Sequence, residues 1–272
     1  GGVIFSVDSM QAYRGMDIGT AKPSLADRRE VPHELIDIAD PEVDLTVPVF
    51  QRLAAERIES YDRPILVVGG SGLHFRSIVD PLTFAPHDPE VRAGIEQLEE
   101  AVAVDRLVEA DPAAGRHVDL RNPRRVTRAL EVLELTGMGP SARAERPEAI
   151  AVREYRPLRP FVGIGVDPGD GISERVTARV EVMMDAGLMD EVTGLAPRLG
   201  RNASQAVGYA ELLEVIAGNA TLGEAVEAIE TNTMKLVRRQ RTWFRRDPRV
   251  TWLPPDIDTE SAVAYCLDRW NP

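Results

Sequence analysis

Asp8 is a carboxylate at a position where α/β proteins commonly hold reactive groups. It directly follows VIFSV, residues 3–7, an apolar run that predicts a strand buried on both faces of a parallel sheet. Ligand crevices lie beyond the carboxyl ends of such strands, so Asp8 would face the crevice with Ser9 and Gln11 beside it. A carboxylate there could accept a proton from a substrate. The alternative interpretation is that Asp8 caps the turn or helix that follows.

Arg175 and Arg179 are candidates for binding an anion. Both belong to a helix predicted over residues 172–186, which Gly187 ends. Its buried side is predicted to consist of Ile172, Val176, Val180, Met183 and Met184. The two arginines stand one turn apart without an acidic neighbour at helical spacing, so they repel each other by roughly a few tenths of a kcal/mol. A shared anion would remove that cost.

Arginines are concentrated in two windows that hold 10 of the 32 basic residues. The first, RNPRRVTR at residues 121–128, contains four. Asn122 and Pro123 predict the start of a helix there that runs to Thr136 and ends at Gly137. Arg124, Arg125 and Arg128 would then occupy the first two turns, where the helix dipole disfavours cations. Phosphate binding would explain this placement, and an ion pair of Arg128 with Glu131 is the alternative.

The second window, RRQRTWFRRDPR at residues 238–249, contains six arginines. It ends a long helix that begins with the capping box Thr221 and Glu224. Arg238, Arg241 and Arg245 share one face of that helix, next to Arg239 and Trp243, and could hold an RNA backbone. A solvated basic face is the alternative.

These residues require a sheet and a helical insertion to position them. Strands are predicted at PILVVGG, residues 64–70, and FVGIGVD, residues 161–167, with a helix over 49–61 and a long loop over 15–48. Residues 92–143 are rich in Ala, Glu and Arg and predict an inserted helical subdomain. The predicted organisation is an α/β core of residues 1–91 and 144–272, interrupted by this insertion.

Composition excludes several classes of protein. The single cysteine, Cys266, excludes an internal disulfide and a multi-cysteine zinc site. A net charge of -12 argues against a protein that coats nucleic acids indiscriminately, whereas an acidic body with two basic windows suits a structured RNA. No apolar run approaches membrane-spanning length and no secretory signal is present, so we expect a cytoplasmic protein without membrane contact.

DSMQAYRGMDIGTAKPS at residues 8–24, followed by VPHELIDIADP at residues 31–41, resembles the substrate-binding segment of bacterial tRNA dimethylallyltransferases. GGSGLHF at residues 69–75 and QAVGYAEL at residues 205–212 resemble further segments of these enzymes, in the same order along the chain. The resemblance implies a P-loop NTPase-like α/β fold with a mainly parallel sheet. It implies transfer of a dimethylallyl group from its diphosphate to N6 of an adenine beside the tRNA anticodon, with Mg²⁺ as cofactor and no protein residue assigned as a metal ligand.

The resemblance also implies a role for individual residues. Asp8 would be the general base, and Arg175 and Arg179 would bind the diphosphate. Residues implied to bind the tRNA anticodon stem-loop are Ser9, Met10, Gln11, Ser71, Arg92, Arg124, Arg125, Arg128, Val207, Gly208, Tyr209, Arg238, Arg239, Arg241 and Arg245. His74 departs from the family, in which a tyrosine is frequent at this position; Gly169, Ser173, Met234 and Leu236 also depart from it. We expect the protein to act as a monomer.

Two alternatives to this function remain open. The family's first strand and glycine-rich phosphate loop would precede Gly1, so the chain could be a catalytically silent tRNA-binding fragment. Adding that strand and loop would then raise both the melting temperature and the transfer rate. A small-molecule P-loop kinase would share the fold, although the two arginine windows and the helical insertion argue against it.

Overall fold

The computed structural model describes residues 1–167 and 169–270. The chain forms two compact units, one made of Gly1–Ile78 and Phe161–Pro272 and the other of Val79–Pro160. The second unit therefore begins before and ends after the insertion predicted for residues 92–143.

Short parallel strands and the helices that connect them form the amino-terminal half of the first unit. Its elements are β1 Val3–Ser6, α1 Leu25–Glu30, β2 His33–Glu34, α2 Val47–Glu59, β3 Ile65–Val68 and α3 Gly72–Val79, which runs to the boundary of the unit. β1 lies between β2 and β3, with Phe5 opposite Glu34 in β2 and Val67 in β3. Because both pairs are parallel, β1 and β3 end at the same edge of the sheet.

Helices alone make up the described regular structure of the second unit. They are α4 Pro89–Glu96, α5 Glu100–Ala110, α6 Pro123–Thr136, α7 Pro140–Ala144 and α8 Pro147–Arg153, with a short 3₁₀ turn at Ala114–Arg116. Helix α6 has the predicted bounds, because the Asn122 side chain accepts a hydrogen bond from Arg125 N and Gly137 adopts φ 69°. Leu107, Leu130 and Val126 lie in the core of this unit.

Two sets of contacts explain why this unit is wider than predicted. Arg128 donates hydrogen bonds to the carbonyl oxygens of Ala85 and Pro86, so the segment before α4 is attached to α6. At the other end, the N–H of Leu158 donates to the carbonyl of Val79 across 2.8 Å. Both segments lie outside residues 92–143, the stretch rich in Ala, Glu and Arg on which the predicted boundaries were based.

The carboxyl-terminal half of the first unit is mainly helical. Its elements are β4 Gly163–Gly165, α9 Ile172–Asp185, α10 Leu188–Leu195, α11 Tyr209–Ile216, α12 Leu222–Phe244, β5 Val250–Trp252 and α13 Thr259–Trp270, with 3₁₀ turns at Ala196–Arg198 and Ala203–Gln205. β4 pairs in parallel with β5, so every strand pair in the described part of the chain is parallel.

Two apolar cores hold the first unit together. One surrounds β1 and α2 and includes Phe5, Phe50 and Ala54. The other joins α9 to α12 through Val176, Val180 and Ile229. Burial of each valine, isoleucine or phenylalanine side chain in these cores contributes about 1.5–3 kcal/mol. The prediction that Val176 and Val180 lie on the buried side of α9 is confirmed.

The prediction of an uninterrupted loop over residues 15–48 is wrong. Helix α1 lies within it and begins with a capping box, in which Ser24 Oγ accepts from Asp27 N and the Asp27 side chain accepts from Ser24 N. Strand β2 is also inside this segment and has only two residues, so it carries no periodic pattern that a sequence analysis could find.

Candidate active site

A cleft of about 440 Å³ lies at the carboxyl ends of β1 and β3 in the first unit. Asp8, Ser9 and Met10 follow β1 and line it, and Gly70 and Ser71 follow β3 and line it too. The parallel pairing of the two strands explains why segments more than 60 positions apart meet here.

Asp8 has one engaged carboxylate oxygen and one available oxygen. Its Oδ1 accepts hydrogen bonds from the N–H groups of Met10 at 2.8 Å and Gln11 at 3.2 Å. Among the described residues, none donates a hydrogen bond to Oδ2. The carboxylate therefore caps the turn after β1, as the alternative interpretation expected, and still presents an acceptor to the cleft.

Ser71 directly precedes α3, and His74 lies one turn further along, in the first turn of that helix. The N–H of Ser71 donates to the carbonyl of Val7 at 3.2 Å, and its Oγ lies 2.7 Å from His74 Nδ1. His74 is only 8% exposed and packs edge-on against the Phe50 ring, with centroids 4.6 Å apart. Burial lowers the pKa of His74, although the negative charge of Asp8 acts in the opposite direction.

Glycines after β3 allow α12 to approach this turn closely. A Cβ added to Gly70 would lie 2.1 Å from Gln240 Nε2, and one added to Gly72 would lie 1.9 Å from Trp243 Nε1. The flexible end of Gln240 can move away from a side chain at position 70, whereas the rigid indole of Trp243 leaves no room for one at position 72. Glycine is therefore needed at position 72 for the close approach of α12.

The wall of the cleft opposite the strands is largely apolar. Helix α9 contributes Val176, Val180 and Met183, and α12 contributes Ile229, Leu236 and Val237. A short hydrocarbon group can be buried against such a wall.

Two guanidinium groups border the cleft, one from each of these helices. Arg179 of α9 and Arg239 of α12 are both exposed, and neither forms an ion pair with any described residue. Arg175, one turn before Arg179, is exposed and likewise unpaired among the described residues, but it does not line the cleft. The cleft thus combines a carboxylate, hydroxyl groups, an apolar wall and unpaired cations.

Gln11 does not line the cleft, and its side chain forms hydrogen bonds within the protein. Its Oε1 accepts a hydrogen bond from Ser6 Oγ at 3.0 Å, and its Nε2 donates to the carbonyls of Thr20 at 3.1 Å and Ala21 at 3.4 Å. These bonds tie the loop around Thr20 to the turn after β1. We therefore no longer assign Gln11 to tRNA contact.

Tyr209 does not line the cleft either, whereas Val207 and Gly208 do. Tyr209 is fully buried, and its hydroxyl donates to the carboxylate of Glu191. Burial is the main cause that raises the pKa of Tyr209, and the hydrogen bond to Glu191 adds to it. A side chain without solvent access cannot present a ring to RNA, so the predicted contact of Tyr209 is corrected to a core position.

Glu191 of α10 is a structural residue that the sequence analysis missed. Its carboxylate accepts hydrogen bonds from the N–H groups of Asp17 at 3.0 Å, Ile18 at 2.8 Å and Gly19 at 3.1 Å, besides the Tyr209 hydroxyl. Gly19 and Thr20 of this loop line the cleft. No signal in the sequence links Glu191 to a loop more than 170 positions away.

Arg241 and Arg245 are ion-paired inside the first unit. Both guanidinium groups donate to the buried carboxylate of Asp167, Arg241 to Oδ1 and Arg245 to Oδ2, the latter at 2.8 Å. Arg241 also donates to the carbonyl of Gly169 at 2.9 Å. We therefore no longer assign these two arginines to the RNA backbone, whereas Arg238 and Arg239 are exposed and unpaired among the described residues.

The predicted RNA-binding arginines of the second unit also fall into two groups, those with an ion-pair partner in the protein and those without one among the described residues. Arg128 donates to the fully buried carboxylate of Glu131 at 2.8 Å, and Arg92 pairs with Glu96 at 2.9 Å. The alternative interpretation of Arg128 is therefore the one that the structure contains, and we no longer assign Arg128 or Arg92 to phosphate. Arg124 and Arg125 are exposed and form no ion pair with a described residue.

Acidic and metal-ligating side chains are sparse in the cleft. In the described part of the chain, no three His, Cys, Asp or Glu residues are grouped as a metal site. Asp8 is the single acidic residue among the described residues that line the cleft.

None of the described helices is both long and apolar enough to span a membrane.

Solved structures of similar proteins identify the class of this fold. A tRNA delta(2)-isopentenylpyrophosphate transferase from Staphylococcus epidermidis matches with a TM-score of 0.69 at 28% identity, over 99% of this chain and 90% of that one. A tRNA isopentenylpyrophosphate transferase from Bacillus halodurans matches with a TM-score of 0.68 at 34% identity, over 99% and 87%. The predicted fold class, a P-loop NTPase-like α/β fold with a helical insertion, is confirmed.

Sequence comparison identifies the family. The model of the IPP transferase family matches residues 11–247. A tRNA dimethylallyltransferase from Bifidobacterium longum (strain NCC 2705) is 41% identical over 278 residues, which cover 97% of this chain and 82% of that protein. One from Streptomyces coelicolor is 44% identical over 264 residues, which cover 93% and 82%. The chain belongs to the IPP transferase family, and the predicted enzyme class, a prenyltransferase, is confirmed.

Proposed function

We propose that this protein transfers a dimethylallyl group from dimethylallyl diphosphate to N6 of an adenine next to the anticodon of tRNA. The observation that carries the proposal is the composition of one cleft, in which the available Asp8 oxygen, an apolar wall and the unpaired Arg179 and Arg239 occur together. A prenyl diphosphate has an apolar end and an anionic end, and a nucleophilic amine needs a proton acceptor. The similar proteins from Bifidobacterium longum and Streptomyces coelicolor are named tRNA dimethylallyltransferases.

The proposed reaction forms one bond and breaks one. The adenine N6 attacks C1 of the dimethylallyl group, the C1–O bond to diphosphate breaks, and diphosphate leaves with the bonding electrons. N6 then carries a surplus proton, which the free Oδ2 of Asp8 accepts. The base must leave its stack to reach a cleft of this kind.

Charge on the leaving diphosphate is proposed to be stabilised by Arg179 and Arg239. Both guanidinium groups border the cleft without an acidic partner among the described residues. A bound diphosphate would supply the missing negative charge and accept charge-assisted hydrogen bonds from them. Arg175 lies one turn before Arg179 and would strengthen the same positive region at longer range. This extends the expected diphosphate site, Arg175 and Arg179, by one arginine of α12.

Magnesium is proposed to enter with the diphosphate. A single lining carboxylate does not make a resident metal site, whereas Mg²⁺ commonly keeps several waters and binds substrate phosphates. The hydroxyls of Ser9 and Thr20 are neutral oxygen atoms in the cleft lining that could contact this ion or its waters. When bound, Mg²⁺ would supply positive charge to the leaving group.

The tRNA is proposed to be held by exposed arginines of both units. Arg124 and Arg125 lie in the first turn of α6, and Arg238 lies near the end of α12. None of the three has an ion-pair partner among the described residues. We propose that the helical unit serves tRNA binding and that the protein acts in the cytoplasm, where this acceptor is found, as a monomer.

A direct assay tests the proposed function. The chain would be incubated with Mg²⁺, dimethylallyl diphosphate and tRNA, and the nucleosides would be analysed by mass spectrometry for adenosine carrying a dimethylallyl group. The matched control is the same tRNA with guanine in place of the target adenine. Binding of tRNA without transfer would instead support a catalytically silent tRNA-binding protein. A separate assay with ATP and nucleosides tests the kinase alternative, which phosphorylation of a nucleoside would support.

A further inference from the structure

His74 is a buried titratable side chain to which the proposed reaction assigns no role. Its Nδ1 lies 2.7 Å from the hydroxyl of Ser71, which lines the cleft. Packing holds the imidazole in place. Its ring packs edge-on against Phe50, and the residue is only 8% exposed. A rigid imidazole in hydrogen-bond contact with a cleft hydroxyl can determine which way that hydroxyl points.

Burial favours the neutral form of the imidazole. Its burial lowers the pKa below the ordinary value of a histidine, and the negative charge of Asp8 opposes this only in part. A neutral imidazole has one nitrogen that accepts and one that donates a hydrogen bond. Nδ1 can therefore accept the Ser71 hydroxyl proton when the ring proton is on Nε2.

We infer that His74 is a positioning residue that makes Ser71 a hydrogen-bond acceptor toward the substrate base. With the Ser71 O–H directed to His74 Nδ1, the lone pairs of Ser71 Oγ face the cleft together with the free Oδ2 of Asp8. The inference rests on the proposed function, because it names the chemical group that the cleft reads.

Two adjacent acceptors fit an exocyclic amine. The N6 amine of adenine has two N–H groups, so one can bond to Asp8 and the other to Ser71. A purine with a carbonyl oxygen at the same position would place an acceptor against two acceptors, which is unfavourable. His74 thus contributes to the choice of adenine over guanine or hypoxanthine without touching the base.

Binding of synthetic anticodon stem-loop RNAs tests this inference without requiring turnover. One RNA carries adenine at the target position, and its partner carries unsubstituted purine, which lacks the amine. Binding constants would be measured for the wild type and for Ser71→Ala, His74→Asn and His74→Gln. Asparagine places Oδ1 where His74 has Nδ1, whereas the glutamine oxygen reaches the position of Nε2, so the two amides form a matched pair.

We expect the wild type to prefer the adenine RNA. His74→Asn should keep this preference, and His74→Gln should reduce it by about five- to tenfold, the scale of one net hydrogen bond. Ser71→Ala should reduce it equally, and the double variant Ser71→Ala with His74→Gln should show no further loss. Melting temperatures would establish that the variants are folded.

Three outcomes would count against parts of this scheme. Full adenine preference in His74→Gln would overturn the inference, and so would effects of His74→Gln and Ser71→Ala that add in the double variant. Equal binding of the two RNAs by the wild type would also overturn the inference. Failure of the proposed function is measured separately, as absent transfer in the assay with Mg²⁺, dimethylallyl diphosphate and tRNA, so the two failures are distinguishable.

Discussion

Arg245 donates a hydrogen bond to the Asp167 carboxylate at 2.8 Å, and Arg241 occupies the other oxygen of the same group. Asp167 is only 9% exposed. Two of the six arginines in the carboxyl-terminal window therefore neutralise a buried charge of the protein itself. Arg238, in the same window, is exposed and has no ion pair among the described residues.

Arg241→Ala and Arg238→Ala are predicted to change different properties, the first the stability of the protein and the second its binding to tRNA. Arg241→Ala should lower the free energy of unfolding by about 2–3 kcal/mol, because it removes a charged hydrogen bond from a buried carboxylate. Arg238→Ala should leave stability unchanged and lower the logarithmic salt slope of tRNA binding by somewhat under one unit, roughly the value for one phosphate contact. Urea denaturation and binding at several salt concentrations measure the two effects; exchanged effects would contradict the assignment.

Acid should weaken the same ion pairs in a defined pH range. Burial alone would raise the pKa of Asp167, but the N–H of Gly169 and the two guanidinium groups outweigh it, so the pKa is lowered. A lowered pKa in the folded state gives stability that is present above the unfolded value, about 3.9, and is lost as the pH falls through the folded value. The stability difference between wild type and Asp167→Asn should therefore be largest above about pH 5 and shrink below pH 4. A difference independent of pH would contradict this interpretation.

Arg124 and Arg128 provide a matched pair in the helical unit. Arg128 bonds to Glu131 and to two carbonyls of the segment before α4, so Arg128→Ala should destabilise that unit by about 2–3 kcal/mol. Arg124→Ala should keep stability and reduce the salt slope of tRNA binding. Denaturation followed by circular dichroism and the salt series distinguish them. An unchanged slope for Arg124→Ala would mean that this turn of α6 faces solvent in the complex.

The local elements of the fold could be predicted because their signals are local. Helix α6 has the predicted bounds, since Asn122, Pro123 and Gly137 act on their immediate neighbours. The capping box of Thr221 and Glu224 at the start of α12 is likewise present. The position of Asp8 at the cleft followed from one general rule about the ends of parallel strands.

The partners of the polar residues could not be predicted because they are distant in sequence. Asp167 meets Arg241 across 74 positions, and Glu191 meets Gly19 across 172. An arginine-rich window has the same composition whether its side chains bind RNA or a buried carboxylate. Only the packed structure separates Arg238 from Arg241, or Arg124 from Arg128.

Glu191→Gln is predicted to loosen the loop that borders the cleft. The carboxylate accepts three backbone N–H groups and the Tyr209 hydroxyl, and an amide would turn an NH₂ group toward some of these donors. We expect a loss of about 3 kcal/mol in the free energy of unfolding. Hydrogen exchange should accelerate at residues 17–19. Asp190→Asn, an exposed neighbour in the same turn of α10, is the control and should leave both quantities unchanged.

The most direct test of the account is the single-turnover rate of Asp8→Asn with tRNA and dimethylallyl diphosphate. Asparagine retains Oδ1, which accepts from Met10 N and Gln11 N, so the turn should persist. The tRNA affinity, which phosphate contacts dominate, should fall by no more than about five- to tenfold, the scale of one hydrogen bond to the base. It lacks the negative charge that accepts the N6 proton, so the transfer rate should fall by about two to four orders of magnitude. A rate near that of the wild type, with unchanged tRNA affinity, would contradict the central claim that Asp8 is the general base.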